Sequence, residues 1–178
     1  MKKKELLLKM MIGGSILLTG CQSQNQSDEP DTSNEGKYRK YEIHLYDAQF
    51  KHTEELEVNY DQDGTVKNIA VYAVYDASAK KSCKYAPKPE KEYTGAKSEC
   101  TENSDGSLKY YNYLTDEAIQ EGAFDDSAYS DVSYTYEEVD TEEKMNALID
   151  GIIDEFKKGD IQQDDTNYII RNGEKVDW

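Results

Sequence analysis

Between Thr141 and Lys158 the chain carries a single apolar stripe. Met145, Leu148, Ile149, Ile152 and Phe156 fall at i, i+3, i+4, i+7 and i+11, the spacing of one helix face. Asp140 or Thr141 stands where a cap belongs, and Glu142 and Glu143 occupy the positive end of the helix dipole. Lys157 and Lys158 occupy the negative end, and Gly159 stops the run. A helix that is apolar on one side has to cover an apolar surface, so the remaining segments must supply one.

Strand-like alternation supplies it. In Tyr38 to Tyr46, Tyr41, Ile43 and Leu45 point one way, with Glu42 and His44 the other; Glu54 to Tyr60 repeats the pattern with Leu56, Val58 and Tyr60. Asp61-Gln62-Asp63-Gly64 is a turn leading into the long run Thr65 to Asp76, and the three segments predict an antiparallel meander. Glu99 to Glu102 and Ser107 to Leu114 flank a second turn, Asn103-Ser104-Asp105-Gly106. Thr115-Asp116-Glu117 reads as a capped start, with Gly122 ending a helix of two turns at most. Val132, Tyr134 and Tyr136 alternate within Ala128 to Val139, which predicts a further strand. Asn172-Gly173 between Tyr168-Ile169-Ile170 and Lys175-Val176 predicts a closing hairpin. Strands first, one major helix late and no regular βαβ alternation define an α+β fold: an antiparallel sheet with one amphipathic helix, 141–158, packed on it.

The start of the chain speaks to location. Lys2, Lys3 and Lys4 precede Leu6-Leu7-Leu8 and the apolar run Met10 to Leu18, which ends in Thr19-Gly20-Cys21. A basic start, a short apolar core and small residues describe an export signal, and the core is shorter than the ~20 residues a bilayer span needs. Leu18-Thr19-Gly20-Cys21 resembles the lipobox of bacterial lipoproteins, with Lys9 interrupting the apolar stretch. That resemblance implies a signal peptide over 1–20, a diacylglycerol on Cys21 and cleavage before it. Each buried methylene contributes ~0.8 kcal/mol, so one acyl chain holds a protein marginally and two hold it firmly. Residues 22–36 (QSQNQSDEPDTSNEG) contain no large apolar side chain and read as a disordered tether, with one domain over 37–178.

Charge narrows the partners. The formal net charge is −16; the leader holds four lysines and one glutamate, so its removal takes the charge to −19. Such a surface is a poor match for nucleic acid or anionic lipid heads, which need clustered Lys and Arg. Tyrosine stands out at 15 residues against 3 Phe and 1 Trp, a composition suited to half-buried strands and to sugar- or peptide-binding faces.

Candidate sites are few. Cys83 and Cys100 remain once Cys21 is lipidated, and outside the membrane they predict a disulfide; no Cys-x-x-Cys is present. Asn59, Asp61, Asp63 and Gly64 fit the first half of a calcium loop, but Ala70 stands where its bidentate glutamate belongs, so a hairpin turn is expected. His44, Asp47 and His52 are close in sequence, and their polar context predicts exposed residues instead of a metal site. No cofactor motif and no nucleophile elbow occurs. Lys109-Tyr110-Tyr111-Asn112-Tyr113 cannot point all its rings inward, so Tyr110, Tyr111 and Tyr113, with Tyr134 and Tyr136, are the expected ligand-contacting residues.

In length and layout the chain is loosely similar to the YehR-like lipoproteins, a likeness that covers no motif beyond the lipobox and carries over no site residue. The expectation is a monomeric, lipid-anchored extracytoplasmic binding or accessory protein of the cell envelope that meets a protein, peptide or glycan. The alternatives are an envelope hydrolase using paired carboxylates and an inhibitor or immunity lipoprotein for a basic partner. Replacing Cys21 with Ala is expected to abolish incorporation of labelled palmitate and to move the protein out of the membrane fraction. Unchanged fractionation would remove the anchor.

Overall fold

The computed structural model describes residues 38–48, 51–159 and 161–178. The leader, Cys21 and the tether lie outside the described residues. Among the described residues seven strands form one antiparallel sheet: β1 (Arg39–Asp47), β2 (His52–Tyr60), β3 (Val66–Tyr75), β4 (Ala96–Glu102), β5 (Leu108–Thr115), β6 (Tyr168–Arg171) and β7 (Glu174–Lys175). Their order across the sheet is β4-β5-β3-β2-β1-β6-β7. Among the described residues three α-helices accompany them: α1 (Asp116–Gln120), α2 (Ser130–Val139) and α3 (Glu142–Gly159). The fold is α+β as expected: α3 is the amphipathic helix, α1 is the short capped helix after Thr115, and α2 is an additional one.

Two turns of one design set the registers. In the β2–β3 turn Asp61 N–H donates to Thr65 O at 2.9 Å, and in the β4–β5 turn Asn103 N–H donates to Ser107 O at 2.8 Å. The carboxylates of Asp63 and Asp105 accept the N–H two residues on, from Thr65 at 2.9 Å and Ser107 at 2.8 Å. Gly64 and Gly106 follow at φ +86° and +83°, where a side chain would be strained.

Residues that alternate along the strands divide the sheet into two faces. Tyr41, Ile43, Leu56, Val58, Tyr60, Ile69 and Leu114 lie on one face, in a single core with Met145, Ile149, Ile152, Ile153 and Phe156 of α3 and Val132 and Val139 of α2. Ile153 joins the α3 stripe, while Leu148 is only partly buried. Thr141 caps α3, accepting the Lys144 N–H at 3.3 Å. Tyrosine hydroxyls fix the α2–α3 junction from beneath: Tyr60 donates to Val139 O at 2.5 Å and Tyr41 to Glu142 Oε1 at 2.5 Å. Arg39 adds an ion pair to Glu142 at 2.9 Å. At the other end of α3, Trp178 Nε1 donates to Ile161 O at 3.1 Å while its ring lies 5.2 Å from Phe156.

The segment 128–139 is not a strand. Its buried residues, Val132, Thr135 and Val139, recur at i, i+3 and i+7, so the helical period prevails over the Val132-Tyr134-Tyr136 alternation. Tyr134 consequently points to solvent. Pairing β3 directly with β5 also leaves no internal slot for another strand.

Cys83 and Cys100 form a disulfide with Cα atoms 5.5 Å apart, tying the irregular segment before β4 to that edge strand. Closing a loop of 17 residues stabilises by ~3 kcal/mol on the chain-entropy model. Glu102 reinforces the link by accepting Cys83 N–H at 2.8 Å and Ser82 Oγ–H at 2.9 Å.

Removing side-chain volume at the helix–sheet contact is expected to cost far more than at the helix surface. Ile149→Ala, at a fully buried site, should lower unfolding stability by about 2–5 kcal/mol. Tyr134→Ala, at a site 52 % exposed, should change it by less than about 0.5 kcal/mol. Urea denaturation of both variants measures the contrast.

Candidate binding face

All three helices lie on the same side of the sheet, so among the described residues no helix covers the other side. Strand register lays its side chains out in rows. His44, Glu55, Tyr72, Tyr111 and Glu99 form one row across β1, β2, β3, β5 and β4. Glu42, Glu57, Ala70, Tyr113 and Lys97 form the next. The rings make a continuous aromatic surface: Tyr72 and Tyr111 stack with centroids 4.5 Å apart, and Tyr113 lies 6.3 Å from Tyr111. Lys109 places its ammonium 4.7 Å from the Tyr72 ring centre. Towards β6, Tyr168 stacks on His44 at 4.0 Å and carries Lys175 at 5.3 Å.

Carboxylates share this face. Glu42 is paired with Lys40 at 2.5 Å and His44 at 3.1 Å, and these hydrogen bonds, the one from His44 first, hold its pKa below the ordinary value against the opposing effect of burial. Glu55 lies 3.8 Å from His44 Nδ1. Burial pushes Glu57 upward, and Glu42 and Glu55 add to that while Lys40 and His44 oppose it. The tyrosines resist ionisation for the same reason: burial raises Tyr72 to about 12 and moves Tyr111 and Tyr113 upward. Their hydroxyls therefore stay protonated, and that of Tyr111 is already hydrogen-bonded to Tyr72.

The five tyrosines expected to contact a ligand do not come together. Tyr111 and Tyr113 lie on the uncovered face, joined by Tyr72, which sequence reasoning missed. Tyr110 lies on the opposite face, reaching Ala128 O at 3.5 Å. Tyr134 and Tyr136 belong to α2, where Tyr136 packs edge-on to Phe124 at 4.7 Å. Tyr72 was visible in Val71-Tyr72-Ala73 only as a strand residue, because nothing local says that β3 pairs with β5. His44, Asp47 and His52 do not converge either, since His44 is on the uncovered face and the other two on the helix-bearing one. Both histidines are buried, at 8 % and 2 % exposed, where exposure was expected. Neighbouring rings and carboxylates cover them: Tyr168 and Glu42 at His44, Tyr75 and Glu54 at His52. Asp61 and Asp63 spend their carboxylates on the turn and on Lys67, 3.3 Å from Asp61.

A second feature lies between the helix-bearing face and α2. It is a cavity of about 40 Å³ lined by Glu54, Ala73, Tyr75, Tyr110, Asp131 and Thr135 among others. At ~30 Å³ of liquid per water it holds a water molecule or so, and Glu54 is already bonded to His52 Nε2 at 2.7 Å. Asp131 Oδ1 accepts from Asn112 Nδ2 at 2.7 Å and from Val132 N–H at 2.8 Å, and Asn112 is fully buried. Burial raises Asp131 to about 6 in spite of these donors.

Compared with protein-family models, with curated proteins and with solved structures, the chain matches none.

Asp131 sets a pH dependence. Its folded pKa lies above the unfolded value of ~3.9, so between about pH 4 and 6 the folded state holds the extra proton. Stability from this group is fully present below about pH 4 and is lost as pH rises through 6. The residue is partly exposed, which limits the effect to about 1–2 kcal/mol. Asp131→Asn should therefore gain stability relative to wild type as pH rises from 4 to 7; a flat difference in paired denaturation curves would refute the assignment.

Proposed function

We propose that this protein is a lipid-anchored binding or accessory protein on the extracytoplasmic face of a bacterial membrane, and that it holds its ligand on the uncovered face of the sheet. The anchor is supported by Leu18-Thr19-Gly20-Cys21 and the export-type leader before it. The binding role is supported above all by the stack of Tyr72 on Tyr111, with Tyr113 beside it, on the side away from the helices. Rings in this setting offer a large apolar contact at low entropic cost, since the strands already fix their positions, and their hydroxyls add directional donors.

The hydrolase alternative draws little from the cavity beside α2. Glu54 and Asp131 both line it, but its volume admits no sugar ring or peptide, and each carboxylate already has partners. The reading as an inhibitor of a basic partner is a form of the binding proposal and uses the same face.

The test places a photo-crosslinking amino acid at position 111 or at position 134 in intact cells. Adducts are expected from 111, on the uncovered face, and not from 134, on the outer side of α2. Equal yields from the two positions, or none from 111, would overturn the proposal.

A further inference from the structure

We infer that the uncovered face takes a second copy of this chain, packed sheet to sheet about a twofold axis that runs along β3. This rests on the binding role proposed above and names the partner, giving a dimer in place of the monomer expected from the sequence. The distribution of charge over the face argues for it. On the half formed by β1 and β2, Glu42, Glu55 and Glu57 outnumber Lys40. On the half formed by β5 and β4, Lys97 and Lys109 outnumber Glu99. Lys175 stands outside both halves, on β7 against Tyr168, and brings the lysines level with the glutamates. Such a face has no surplus of either sign to offer a strongly charged partner. Its halves are of opposite sign, so it matches itself turned over.

A twofold axis along β3 lays each row of side chains on the same row of the partner in reverse order. Tyr72 then meets the partner's Tyr72, Glu55 lies over the partner's Tyr111, and Glu57 over the partner's Tyr113. At the edges Lys97 comes to the partner's Glu42 and Glu99 to the partner's His44. Among the described residues neither Lys97 nor Glu99 makes an ion pair of its own within 4 Å. Stacked sheets are turned by about 30° against each other, and lysine and glutamate side chains are long enough to span the offset this causes at the edges. Ala70 is already covered at 2 % exposure, so the middle of the face is filled and suits a broad, flat partner.

Size and direction agree. The five strands β1, β2, β3, β5 and β4, crossed by the rows of Lys40, Glu42, His44 and Tyr46, make a field of roughly 600 Å² at ordinary strand spacings. Each partner in a stable interface gives about 600–1,000 Å². Half-buried Tyr72, Tyr111 and Tyr113 lie towards the middle, with exposed Lys97, Glu99 and Lys109 around them, the order of an apolar centre and a polar rim. An axis along the strands also makes both copies begin β1 on the same side, as two lipid anchors in one membrane require. An axis across the strands would start them on opposite sides and set Glu57 against the partner's Glu55.

Two differently tagged full-length copies are expressed together in cells, one of them with the photo-crosslinking amino acid at position 111. Adducts of one tagged copy with the other are expected, joined to the β2 peptide that contains Glu55. Lys97→Glu in both copies should lower their yield about fivefold or more, with unchanged melting. Lys157→Glu, the same change of charge at an exposed site of α3, should leave it unaltered. Equal yields in the two variants, or self-adducts formed as readily from position 134, would mean crowding at the membrane and overturn the inference. Adducts from 111 with another molecule and none with the second copy also overturn it, while keeping the binding face. No adduct of any kind from 111 overturns the face as well.

Discussion

The contact between the apolar stripe of α3 and one face of the sheet governs the rest of the molecule. Once Met145, Ile149, Ile152 and Phe156 claim Tyr41, Ile43, Leu56 and Val58, the pleat decides where every other strand residue goes. A slip of one residue would bury Glu42, Glu55 and Glu57 under the helix and expose the core, so the register is strongly held. The aromatic and acidic rows on the far side follow from this packing as directly as the core does.

Tyrosine serves both faces, for different reasons. On the helix side Tyr41 and Tyr60 meet edge to face at 5.5 Å and direct their hydroxyls to the α2–α3 junction, where Val139 O and Glu142 need donors. There the ring fills the core and the hydroxyl satisfies a buried acceptor that phenylalanine would leave unmet. On the other side Tyr111 lies between Tyr72 and Tyr113, in ring contact with both. The same residue type is structural at one site and part of the proposed contact surface at the other, and the parity of its strand position separates the two.

Parity and turn chemistry were legible in the sequence. The alternation of β1 and β2, the two Asp-Gly turns, the Asn-Gly hairpin and the capped α3 stripe are local signals, and each needs no more than ten or so neighbouring residues to be read. The segment 128–139 was misread because Val132, Tyr134 and Tyr136 satisfy a period of two, while the helical set includes Thr135, a residue that hydropathy does not mark as buried. Asn112 and Asp131 were illegible for a related reason. A buried amide bonded to a carboxylate on another element depends on β5 lying beneath α2, and no local pattern reports that. The proposed binding face was half visible: strand alternation meant that Tyr110, Tyr111 and Tyr113 could not share one face without saying which turned outward, and Tyr72 required the non-local pairing of β3 with β5.

The place of β1 in the sheet has a mechanical meaning. β1 is the first strand among the described residues, yet it sits inside the sheet, paired along its length with β2 and on its other side with β6. On the anchored, ligand-holding arrangement proposed above, a pull arriving from the N-terminal side would run along this strand, and a ligand on β3 and β5 would resist from two or more strands away. The load then falls as shear on many backbone hydrogen bonds at once, instead of peeling them open in succession. A domain loaded in that direction gives way in one step at a high force instead of strand by strand at a low one.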